Sequence, residues 1–528
     1  MLFPLKYHKG TKQMKRTITI LVSAAVCTIT LAQTPKIPSC EAEDTAHIMA
    51  QGYWDVWNAD EQKRIDADIE AFRKAYAVFK TGRVKKGTMV KVEQTSSAFV
   101  FGASAFNWNQ LGSKKANAIY RETFGSLFNR ATVPFYWKHF EPAPGRTRYE
   151  ETIVDTENWW RWCPNPKLQP NWRRPATDPI VKWCNEHGVA VHGHPLVWGN
   201  RQWQYPEWMQ YDGIPENERR ALDSLEIIVF APRSKAVSSY EKMSEQKLAA
   251  LLPTYIKRQE ERTLARVAEI MDHYKGRIQS WDVVNESNKD FREGRQNPSL
   301  PMNKSIYGIS FSDYTFKSFK AAAEHRTDGA LLNINDFVTE DSYPAQVENL
   351  LSRGAKIDIV GSQMHLFKPQ QCLDIAAGKH LSVPTEPNSI RTFFKKFEKF
   401  GLPVCISEIT ITSAGEGEKG EMIQAIIARN LYRMWFSVPN MMGITWWNLV
   451  DDCGAAGEPT ISGIYHRDMT PKTAYHALDQ LINHEWRTNV EIKPDSKGNI
   501  RWRGFKGTYR ISWTDPKGAV HSEEVMVK

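Results

Sequence analysis

Past residue 31 the chain has no hydrophobic run long enough to cross a membrane, and even the run before it, Thr17 to Leu31, is short for a span. It also lacks any CxxC pair, metal-like cysteine spacing, internal repeat, low-complexity linker or clustered basic tract. A thiol-redox protein, a zinc-ribbon protein and a protein built to grip nucleic acid are thereby disfavoured. The formal charge of +9 does not contradict this: Lys6, Lys9, Lys12, Lys15 and Arg16 carry five of those charges in an acid-free stretch, leaving +4 spread over the remainder. Cysteine is scarce, at seven residues, one of them Cys27 in that same stretch. Cys405 reads as a small core residue, and Cys163 and Cys184 are the candidate pair for a loop disulfide in an oxidising compartment, with free thiols as the alternative.

What is present begins with the N-terminus. Lys15-Arg16, the apolar run and Thr30-Leu31-Ala32 have the order of a secretory signal cut after Ala32, with either Met1 or Met14 as the start. A secreted, periplasmic or cell-surface protein is expected. Aromatics are abundant, 19 Trp, 18 Tyr and 23 Phe, and several Trp fall in loop-like stretches such as 158–162 and 201–205. Exposed aromatic faces suit sugar rings, although core and loop packing accounts for many of them.

Eight strand-like runs alternate with helical stretches: Phe99 to Ala103, Arg130 to Phe135, Val189 to His194, Ile278 to Val284, Ala330 to Ile334, Ile357 to Gln363, Pro403 to Ile406 and Gly443 to Leu449. That count and order predict an α/β protein with a (β/α)8 TIM barrel. The expected division is a signal peptide at 1–32, a helical or extended lead-in at 33–84, the barrel at 85–486 and a small β module at 487–528 pairing with a strand near residue 90. Long connections at 142–179 and 199–241 follow strand ends and are expected to shape a cleft.

Two strings, 122 residues apart, concentrate the chemistry. Trp281-Asp282-Val283-Val284-Asn285-Glu286 and Val404-Cys405-Ile406-Ser407-Glu408 each run an apolar strand into a glutamate. An unpaired carboxylate is costly to bury, and parallel strands would deliver both to the C-terminal edge of the barrel, where active sites form. Two facing carboxylates are the minimum for glycosidic cleavage, whereas helix caps or structural ion pairs are the bland alternative.

The chain resembles glycoside hydrolase family 10, the endo-β-1,4-xylanase family, through seven segments in order. These are Phe140-Glu141-Pro142-Ala143-Pro144-Gly145, Gly193 to Trp198, Trp281 to Glu286, Ile334-Asn335-Asp336-Phe337, Ile357-Asp358 with Gly361 to Leu366, Ile406-Ser407-Glu408, and Thr445-Trp446-Trp447. The resemblance spans roughly 85–482 and implies a retaining mechanism, with carboxyl groups about 5–5.5 Å apart. By that resemblance Glu408 is the nucleophile and Glu286 the acid/base, their pKa values separated by their surroundings. His365 would hold Glu408, Gln363 orient Glu286, Asn285 contact a sugar 2-hydroxyl, His194 and Trp198 line the glycone side, and Trp447 stack under a ring, while Asn335 and Asp336 would serve as scaffold.

The implied protein is a monomeric endo-1,4-β-xylanase-like glycosidase acting on xylan or a decorated xylan, with no cofactor, no metal and no nucleic-acid partner. Departures qualify the substrate. Val133 and Tyr136 stand where the family has a polar Asn and Lys, with Lys138 in a shifted position, Trp446 replaces a smaller residue, Asn448 a Gly, and Arg201 a Gln, with Gln202 beside it. Another β-glycan, or a non-catalytic carbohydrate-binding role, are the alternatives.

Overall fold

Short runs buried on both faces form eight parallel strands, β1 Val100–Ser104, β2 Arg130–Pro134, β3 Ala190–His194, β4 Ser280–Asn285, β5 Leu331–Asp336, β6 Ile359–Gln363, β7 Val404–Ile409 and β8 Met441–Trp446. Each pairs with its successor, and β8 returns to β1 in the register Gly443↔Val100 to Trp446↔Ala103, closing the (β/α)8 barrel. The computed structural model describes residues 35–80, 84, 87–161, 174–200, 204–230, 243–305, 308–327, 329–379 and 385–528. The expected signal peptide, Cys27, Cys163, Arg201 and Gln202 lie outside these residues.

The barrel interior is partly polar. Arg130 of β2 reaches past β1 to the Thr445 hydroxyl of β8, and Asp282 binds His192, His194 and Asn333. Register shifts interrupt the β4–β5, β6–β7 and β7–β8 ladders, those at Ser362/Gln363 and Ile406/Ile409 toward the C-terminal ends. Such irregularities re-aim side chains at a barrel rim. Trp447 onward leaves the sheet, so β8 ends earlier than its apolar run suggests.

The lead-in packs on the barrel. Asn58 caps the helix Ala59–Arg73 by accepting the Asp60 and Glu61 amides. That helix lies against the buried helix Glu418–Ser437, where Gln62 donates to Asn430 and accepts from Arg433, and Tyr53 accepts from Asn430.

The terminal β structure is not contiguous in sequence. Val90–Ser97 pairs with Asn489–Ile492 and Gly507–Thr514, the latter also with Val520–Val527, and Lys74–Lys80 pairs with Asn499–Phe505. Strands from before the barrel therefore complete two small sheets, of two and four strands, with strands from after it, packed over a core of Phe79, Val92, Trp502, Ile511 and Trp513. Lys36–Lys528 is one compact unit. Cys40, Cys184, Cys372, Cys405 and Cys453 are free thiols, Cys184 buried in the helix Thr177–Glu186.

Candidate active site

Asn285 ends β4, and Glu286, the next residue, has φ +54. That left-handed conformation disfavours a residue with a Cβ by about 1–2 kcal/mol, so the surroundings must hold it. They do so through the Glu286 amide, which donates to the Asn335 carbonyl at 2.8 Å, while the carboxyl accepts from Gln363 Nε2 and from Trp198 Nε1, each at 3.2 Å. Trp198 reaches it because the short strand Val197–Trp198 pairs with Val284 and Asn285.

Glu408 sits in β7 and accepts from Asn335 Nδ2 at 2.7 Å and from His365 Nε2 at 3.1 Å, with His194 Nε2 3.8 Å away. The other His365 nitrogen meets the Thr410 hydroxyl at 3.0 Å. Burial pushes the His365 ring down to about 4, so it is neutral near pH 7; an ionised Glu408 calls for the proton on Nε2, and Nδ1 then accepts from the Thr410 hydroxyl. Asn335 thus touches both glutamates, through its carbonyl and its amide. Gly361 on β6 permits this: a Cβ there would come within 2.9 Å of Asn335 Oδ1. Asn285 Oδ1 accepts from both Asn335 (2.9 Å) and Gln363 (3.1 Å), which orients its Nδ2 as a donor.

Both carboxyls are pushed up to about 7, in each case chiefly by burial. The next influence has opposite sign: for Glu286 it is the Glu408 charge, which raises it further, and for Glu408 it is His194, which lowers it. The two carboxyls are thus coupled, an ionised Glu408 raising Glu286 further.

Behind His194 lies a residue that the sequence reading left without a role. Asp282 Oδ2 binds His194 Nδ1 at 2.6 Å and His192 Nε2 at 2.9 Å. Burial pushes the Asp282 carboxyl up, but the two histidines outweigh it and hold the group well below the usual range. The argument that singled out the glutamates, a carboxylate in a buried strand, applies equally to Asp282 and was the available signal. Thr410, two residues beyond Glu408, carried none.

The departures divide. Tyr136 enters the site: its ring lies edge-on to His194 (5.6 Å) and against Trp198 (6.1 Å), beneath the Arg174 guanidinium (5.8 Å). Trp446 does not: it is fully buried, donates to the Asn448 carbonyl and lies near Tyr432 of the helix Glu418–Ser437. Lys138 is drawn to Glu207 at 3.6 Å, and Val133 is buried in β2. Trp447 is only 3 % exposed, edge-on to Phe106 and His194. Asp336 accepts the Asn288 and Val338 amides and is pushed up to about 7 by burial, as a scaffold residue behind Glu286.

An endo-1,4-β-xylanase A of Halalkalibacterium halodurans is 26% identical over 306 residues, 54% of this chain and 65% of that protein. The anti-sigma-I factor RsgI6 of Acetivibrio thermocellus is 24% identical over 376 residues, 70% of this chain and 40% of that protein. The chain therefore spans less than two thirds of the length of these relatives. Native xylanase 10B of Thermotoga maritima aligns in structure with a TM-score of 0.48 at 19% identity, covering 74% of this chain and 96% of that one. The family model for glycosyl hydrolase family 10 matches residues 93–481, which brackets all eight barrel strands and both glutamates, and the chain belongs to that family.

Proposed function

We propose that the protein is a retaining glycosidase that cleaves β-1,4 linkages of xylan or a decorated xylan by double displacement. The observation that carries this reading is the pair of half-buried Glu286 and buried Glu408, held by the shared contacts of Asn335 and biased in opposite directions by His194 and by the Glu408 charge. In the first step Glu408 attacks the anomeric carbon while Glu286 protonates the departing glycosidic oxygen. Forming the glycosyl ester removes the Glu408 charge, and with it one of the two influences that raise Glu286, the other being burial. Glu286 is then a carboxylate suited to take a proton from the water that attacks the same carbon, so configuration is retained. Asn285 Nδ2 donates to the sugar 2-hydroxyl, a bond that tightens as the oxocarbenium-like charge grows. His194, Trp198 and Trp447 bound the glycone side. Export by the 1–32 leader agrees with a polymeric substrate that stays outside the cell. Among the described residues no helix is long and apolar enough to cross a membrane.

Tyr136 and Val133 favour a second reading, the same chemistry on another β-glycan, since both replace polar sugar contacts. Mass analysis of products from linear xylan, glucuronoarabinoxylan and a glucan–mannan panel separates the two. Xylo-oligosaccharides from linear xylan support the first reading; a folded protein silent on both xylans but active on another polymer overturns it.

A further inference from the structure

Beyond β8 the chain makes a polar loop, and one carboxylate in it is held in an asymmetric way. Glu458 Oε2 accepts from the Ala455 amide at 2.7 Å and from Asn448 Nδ2 at 3.2 Å. Among the described residues its Oε1 has no hydrogen-bond partner. Gly454 makes the seat: a Cβ there would lie 2.8 Å from Glu458 Oε2 and 3.1 Å from Asn448 Nδ2. Asn448 directly follows Trp447, whose ring borders His194 and His365, so the seat adjoins the Glu408 side of the cleft.

Tyr136 borders the same His194, half-buried, with its hydroxyl unengaged by any described residue and its ring also against Trp198 and Phe106. The charge of Glu458 is felt at Tyr136, just past β2, at His365, just past β6, and at Glu408 in β7. A staple that merely closed the loop would need one carboxylate oxygen and no proximity to these groups.

We propose that Glu458 is a sugar-binding, specificity-determining residue: Oε1 accepts hydroxyl protons of a neutral pyranose on the glycone side of Glu408, opposite the Tyr136 hydroxyl. The pair replaces the polar contacts absent at Val133 and Tyr136 and sets the subsite against acidic sugars, because a uronate there would face the Glu458 carboxylate at short range. This inference rests on the glycosidase reading above.

The test is binding to the Glu408→Gln protein, in which turnover is blocked. Xylotriose, cellotriose and β-1,4-mannotriose are titrated calorimetrically into this parent and into parents also carrying Glu458→Gln or Tyr136→Phe. For the trisaccharide that the parent binds best, Glu458→Gln is expected to weaken Kd by about ten-fold or more, the effect of losing a hydrogen bond to a charged group. Tyr136→Phe should weaken it less, and both variants should keep the parent's Tm. Kd values within about two-fold of the parent for both variants overturn the inference and leave the glycosidase reading intact. A loss of affinity accompanied by a fall in Tm assigns Glu458 to loop folding and also overturns it. A parent that holds none of the three sugars overturns the glycosidase reading and this inference together.

Discussion

The mouth of the barrel and the terminal β sheet bury their side chains for different ends. The sheet closes over Phe79, Val92, Trp502, Ile511 and Trp513, a core of apolar packing. The barrel mouth buries Glu408, Asp282, His192, His194, Asn333 and Asn335 beside the half-buried Glu286. Burying charged groups rarely gains stability over an apolar replacement, whereas removing one partner leaves the other stranded. The sheet is thus where the chain gains cohesion, and the mouth is where it gives cohesion up to hold two carboxyls in fixed surroundings.

That contrast can be broken from either side. The largest effect should come from Glu286→Gln, which removes the proton donor and lowers kcat by about 10²–10⁴-fold on substrates with poor leaving groups, while Tm stays level or rises. Steady-state kinetics with leaving groups of graded acidity would check it, since an activated aryl leaving group needs less protonation. In the sheet the pattern reverses. Trp502→Ala should destabilise by about 3–5 kcal/mol in denaturant titrations, with kcat per folded molecule unchanged. Asp282→Asn should do both, because it strips two buried histidines of their partner: about 3 kcal/mol of stability and a measurable fraction of kcat, read in the same two assays.

The pH dependence sharpens the comparison further. Glu286 is raised from 4.5 to about 7 in the folded protein, so between those values the native state binds the extra proton. Its contribution to stability is therefore complete below pH 4.5 and is lost as pH rises through about 7. Wild-type Tm should fall across that window, and Glu286→Gln should flatten the slope. The same group sets the alkaline limb of the kcat/KM profile. The smallest effect expected is from Trp198→Phe: loss of an indole N–H that lowers Glu286 should move that limb upward by a fraction of a pH unit.

Much of this was legible in the sequence because parallel barrel strands are buried on both faces and read as apolar runs, against which a glutamate stands out. Glu286, Glu408, Gln363 and His365 meet as their motifs implied. What was not legible depends on where a strand ends and on distant pairing. Trp446, the last residue of β8, packs toward Tyr432, while Trp447, the first residue past the strand, borders His194, a difference that the apolar run through both does not reveal. Val90–Ser97 pairs with the C-terminal strands as the alternation near residue 90 suggested, whereas nothing local announced that Lys74–Lys80 would pair with Asn499–Phe505, some 400 residues away. Glu458 sits in a loop with no periodicity, and its seat exists only once Asn448 and Gly454 converge.

The central claim is that Glu408 forms a covalent bond to the sugar. A 2-deoxy-2-fluoro xylobioside with a good leaving group slows both steps but the second more, so the intermediate accumulates. Intact-protein mass spectrometry followed by peptide mapping should find one glycosyl unit on the peptide carrying Glu408, and none after Glu408→Gln. Rapid turnover of the natural substrate with no adduct under these conditions, or an adduct on another residue, would contradict the account.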